Sequence, residues 1–107
     1  MELKDTIEMM NSEDYKERFK AEFYQTKIRY LKLCDMIKKY EEGTLNFKPI
    51  CPIDLLKEQA AHMFDYLYVL EDRAYLEGIE DLRIGDVPTL TTRYLLTLND
   101  YLDIKNN

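Results

Sequence analysis

The sequence predicts an all-α protein, a long antiparallel helical hairpin plus a short C-terminal helix, assembling into a homo-oligomer. Three observations predict the hairpin and its extension. Two apolar seams of matching length run at helical spacing, a short stretch holding glycine and proline separates them, and a third, shorter periodic run follows.

The first helix carries Phe19, Phe23, Thr26, Tyr30, Leu33, Ile37 and Tyr40 at alternating spacings of four and three, which lays one mostly apolar seam along a helix of roughly residues 12–42. Asn11 or Ser12 can cap its start, Glu13 and Asp14 face the positive end of the helix dipole, and Gly43 can end it. The second helix begins at Pro52, because a first helical position tolerates a residue without an N–H. Its seam is Ile53, Leu56, Ala60, Met63, Leu67, Leu70 and Ala74, until Gly78 stops it. A link of about nine residues folds two such seams back on each other, since parallel packing needs a far longer connection. Leu90, Tyr94, Leu95, Leu98, Tyr101 and Leu102 then predict a short third helix at about 89–104. The chain therefore reads as a single domain, with the hairpin at 12–78 and an extension at 79–107.

Bulk properties narrow the function. With 46% hydrophobic and 34% charged residues among 107, the chain is expected to build a core rather than remain disordered. A net charge of -6 argues against binding DNA, RNA or an anionic membrane, which demand a surplus of Lys and Arg. Cys34 and Cys51 are spaced neither as a metal pair nor as a disulfide scaffold, so reduced thiols in a cytoplasmic protein are expected. Glu2, Lys4, Asp5 and Glu8 interrupt the N-terminal segment, which rules out reading it as a signal peptide.

Nothing in the sequence points to catalysis, and neither a metal nor a cofactor is expected. The single histidine, His62, lacks a nucleophile pattern around it and reads as a surface or interface residue. Glu13 with Asp14, and Glu71 with Asp72, are sequence neighbours that diverge by about 100° on a helix. Gly43, Gly78 and Gly85 are too far apart for a phosphate loop. Outside the seams stand Tyr15, Tyr24, Phe64, Tyr66, Tyr68 and Tyr75, more aromatic surface than an isolated hairpin leaves in water. Self-association would cover them, as would a third helix folding back within one chain. Arg18, Lys27, Arg29 and Lys32 concentrate on helix one, whereas residues 71–107 hold eight acids against four bases. Tyr15, three residues before Arg18, offers a flat ring beside a fork of donors, a pairing suited to a nucleotide. The plainer alternative is an Arg18–Glu22 pair at i+4.

The segment from Tyr15 to Ile79 resembles the helical-hairpin family of phage anti-defence proteins, the anti-CBASS and anti-Thoeris nucleotide sponges, including the short hairpin proteins of crAss-like phages. Tyr15, Arg18, Glu22, Arg29, Lys32 and Leu33 carry the resemblance in helix one. Leu55, Leu56, Gln59, Met63, Tyr66, Leu70 and Arg73 carry it in helix two. The resemblance implies a homo-oligomer, commonly a hexamer, in the host bacterial cytoplasm. Such an assembly binds cyclic di- or trinucleotides or cyclic ADP-ribose-type signals between subunits and sequesters them without cleavage. Tyr15, Arg18, Arg29, Lys32 and Arg73 are the ligand residues it implies, Arg29 standing where related hairpins often have Lys. A scaffold or adaptor that binds another protein's helix through exposed aromatics is the alternative.

Overall fold

In the computed structural model, residues 1–79 and 82–85 are described. The predicted third helix at 89–104 lies outside these residues. A 3-10 turn at Leu3–Thr6 runs into α1 (Ile7–Met10), followed by the two long helices α2 (Tyr15–Glu42) and α3 (Ile53–Leu76). Among the described residues there is no strand, and no helix is long and apolar enough to cross a membrane.

Both long helices begin slightly later than the sequence predicts. Asp14, not Asn11 or Ser12, caps α2: its carboxylate accepts from the Lys16 N–H at 3.0 Å, while Ser12 Oγ accepts from the Asp14 N–H at 3.1 Å. A charged acceptor facing the positive end of the dipole outcompetes a hydroxyl. Pro52 occupies the cap of α3 rather than its first turn, and its carbonyl accepts from Leu55 and Leu56. The helix ends follow the glycines. At Gly43 (φ 74°) the chain turns left-handed and the Thr44 N–H returns to the Lys39 carbonyl at 2.9 Å. The same device recurs at Gly78 (φ 70°), where Ile79 N–H reaches the Ala74 carbonyl at 2.8 Å and the Ile79 side chain is buried. Only a residue without Cβ enters this region at little cost.

The seams meet as predicted. Phe19, Phe23, Tyr30 and Ile37 of α2 are buried with Ala60, Leu67, Leu70 and Ala74 of α3, joined by Cys34, and Leu33, Leu56 and Met63 pack half-buried against them. Tyr40, the last seam position, is exposed instead. Cys34 is buried and Cys51 is exposed.

Two covers flank this strip. On one side, α1 and the 3-10 turn pack along α2 over Ala21, which has no exposed surface. Thr6 anchors them. Fully buried, its hydroxyl donates to the Leu3 carbonyl (2.7 Å) and accepts from Gln25 Nε2 (2.9 Å). On the other side, Ile79, Leu82 and Ile84 are buried in the hairpin core. That segment is pinned by the Ile84 N–H donating to Glu71 (2.6 Å) and by Lys27 Nζ donating to the Arg83 carbonyl (3.1 Å). Part of the apolar strip is thus covered within the chain, as a folding-back extension would do. Phe64 joins this side, its ring 5.8 Å from Tyr30 and 4.8 Å from Tyr68.

Leu67 is completely buried at the centre of the strip. Leu67→Ala is expected to lower stability by about 2–5 kcal/mol, while Leu67→Asp, which strands a charge, abolishes the cooperative melt. Urea denaturation followed by circular dichroism checks both, and a Leu67→Asp protein that melts like the parent would refute the seam.

Candidate functional site

Antiparallel packing sets the first turns of α2 against the last turns of α3, and there the two helices exchange polar and aromatic contacts. The Tyr66 hydroxyl donates to the Glu22 carboxylate across the helix pair. Two turns further along α3, the Arg73 guanidinium lies over the Phe19 ring, 4.7 Å from its centre, and its Nε donates to Glu77 at 2.8 Å. With Nε engaged and one face on an aromatic ring, the two terminal nitrogens of Arg73 have no hydrogen bond among the described residues and can be offered as a fork.

Electrostatics tie these groups into one cluster. The hydrogen bond to Glu22 raises the Tyr66 phenol above the usual 10.0, with partial burial and the Glu22 charge adding to it and Arg73 opposing it. Arg73 is held still more firmly in its charged form, chiefly by the bond to Glu77, which with the Glu77, Glu22 and Tyr66 charges outweighs the opposing desolvation.

The predicted site residues divide. Tyr15 is the first residue of α2 and is exposed, and Arg18 stands one turn on, at the same end of the hairpin as Arg73. The Arg18–Glu22 pair does not form. Arg18 Nη1 instead donates to the Ser12 carbonyl at 2.7 Å, because the chain before α2 curls back within its reach, and Glu22 turns to Tyr66. Arg29 follows Arg18 by eleven residues, about three turns and so nearly the same face, yet about 16 Å further along the axis. It is exposed and has no ion pair among the described residues. Lys32 lies further still and lines a cavity of about 360 Å³ at the hairpin turn with Asp35, Met36, Lys39, Thr44 and Phe47. Tyr15, Arg18 and Arg73 are therefore brought to one end of the hairpin, and Arg29 and Lys32 are not.

Sequence reasoning gave Phe19, Glu22, Tyr66 and Glu77 no place in the site. A signal existed: mirroring positions about the middle of the 43–51 link sets residues 19 to 22 against the last turns of α3, correct to within about two turns. His62 stands as expected, on the surface, 3.6 Å from Glu58 one turn away.

Two long antiparallel helices that gather arginine, tyrosine and phenylalanine at their open end define a helical-hairpin protein with a cationic, aromatic patch. The chain belongs to the Sequestin family, whose model matches residues 13–76. The match spans both long helices, and it agrees with the resemblance to sequestering phage anti-defence hairpins read from the sequence. No curated protein and no solved structure matches the chain.

Tyr66 provides a test of the cluster. A raised folded value means that ionisation is disfavoured in the native state. The stabilisation is fully present below the unfolded value near 10.0 and is lost as pH rises through the higher folded value. In an NMR titration of the tyrosine rings, Glu22→Gln should move the Tyr66 midpoint down toward 10.0. An unchanged midpoint would mean that the Glu22 contact does not hold in solution.

Proposed function

We propose that this protein is a phage anti-defence sponge. It binds a cyclic nucleotide immune signal, a cyclic di- or trinucleotide or a cyclic ADP-ribose-type molecule, and holds it uncleaved in the host cytoplasm. The observation that carries the proposal is the family match over both long helices, a family whose name denotes sequestration. Support comes from the open end of the hairpin, where an exposed tyrosine and two arginines stand within the matched region. A dianionic ring would stack a base on Tyr15 and meet the arginine forks through its phosphates, the charge-assisted bonds supplying most of the specificity. Neither catalytic group nor cofactor has a part in this mechanism. Starving the host effector takes only tight binding and enough copies.

Self-association belongs to the same proposal. Leu55, Val69 and Leu76 follow one another along α3 at multiples of seven residues, on one face, and all three are exposed, as are Tyr68 and Tyr75. A homo-oligomer, hexameric as in the proteins the chain resembles, would cover this face and let neighbouring subunits complete each groove. The same stripe also suits an adaptor that docks a partner protein's helix.

Calorimetry with a panel of cyclic nucleotides separates the two readings, since a sponge binds one with no other protein present. Arg18→Ala and Arg73→Ala should each weaken binding about tenfold to hundredfold, and Tyr15→Ala by a similar factor if its ring stacks on a base. Light scattering on the same samples should give a mass above the 12.9 kDa of one chain. Unaltered affinity in all three variants would remove the site, and linear nucleotide after incubation with the parent protein would mean an enzyme.

A further inference from the structure

We propose that Glu22 reads the nucleobase, making guanine-containing cyclic nucleotides the preferred class. This rests on the sponge reading and adds what that reading leaves open, the identity of the base. Glu22 is exposed on α2 one turn beyond Arg18, on the hairpin-turn side of the Arg73–Phe19 contact. It is an acid in a site otherwise suited to anions, so it repels phosphate and favours a ligand group that brings N–H donors. An ionised carboxylate only accepts, with about four lone-pair positions over its two oxygens. Tyr66 occupies one of them and fixes the rotamer. No other donor reaches the carboxylate among the described residues.

Among the bases, guanine alone sets two N–H donors side by side on its Watson–Crick edge, matching a carboxylate two to two. Adenine and uracil alternate donor and acceptor there, so a carboxylate meets a lone pair at the second position. The neighbouring Arg73, committed to Phe19 and Glu77 through its ring face and Nε, leaves its terminal nitrogens for the phosphate of the same nucleotide. Cation and anion then divide the ligand between them, Arg73 taking phosphate and Glu22 taking base. Tyr66 is a positioning residue, acting through Glu22.

Calorimetry of the parent protein, Glu22→Gln and Tyr66→Phe with cyclic di-GMP and cyclic di-AMP tests this. The parent should favour cyclic di-GMP at least tenfold. Glutamine, which pairs a donor with an acceptor and suits adenine, should reduce that ratio at least tenfold. Tyr66→Phe should reduce it in the same direction by a smaller factor, and circular dichroism melts establish that both variants fold. A parent that binds both rings equally, or a Glu22→Gln variant with the parent's ratio, overturns the assignment of Glu22 while leaving the sponge reading intact. Binding of neither ring, with only guanine-free cyclic nucleotides bound, overturns the guanine preference alone. Binding of none overturns both.

Discussion

A pair of helices buries only the strip along which they touch, and everything else in this structure follows from that limit. The strip from Phe19 to Ile37 against Ala60 to Ala74 supplies the hydrophobic driving force. One strip is little to set against the conformational entropy of two helices with 28 and 24 ordered residues. The chain meets the deficit locally. Its first ten residues close over Ala21 on one flank, and Ile79, Leu82 and Ile84 enter the core on the other. Each cover is fastened by a few directed bonds, through Thr6 and Gln25 in one case and through Glu71 and Lys27 in the other.

Register decides what the open end contains. The same seam that buries Leu67 and Leu70 rotates Tyr66 and Arg73 to one edge of α3, within reach of Glu22 and Phe19. A side chain at the edge of a helix interface has its stem packed and its tip in water, which suits a group that must be ordered yet available. Arg73 shows this well: its ring face and Nε are engaged within the protein, while about half of its side chain stays exposed, 51%.

The hairpin was legible because Phe19, Phe23, Tyr30 and Leu67 repeat with helical period and Gly43 and Gly78 mark the ends. The covers were not legible to the same method. Ile79, Leu82 and Ile84 are too few and too mixed with acids to show a period, and Thr6 is a polar residue whose burial depends on a partner nineteen positions away. A local hint did exist in Asp5, which accepts from the Glu2 N–H at 2.7 Å and starts the N-terminal turn. Within the site, Tyr15, Arg18 and Arg73 fell together because they sit near mirrored ends of the hairpin. Arg29 and Lys32 share a face with Arg18 but stand three or more turns further along α2, a separation that follows from the helical rise per residue and that grouping them by face alone overlooks. The Arg18–Glu22 spacing was sound helix geometry, overridden when Ser12 offered a carbonyl to one partner and Tyr66 a hydroxyl to the other.

The central claim is that the open end of the hairpin, not its turn, receives the ligand. The arginine Nε–H resonances and the backbone amides report on this directly when a bound cyclic nucleotide is titrated into isotope-labelled protein. The largest shifts should fall at Arg18, Arg73 and the amides around Glu22 and Tyr66. Shifts confined to Lys32, Lys39 and Phe47 at the turn, with Arg18 and Arg73 unmoved, would contradict it.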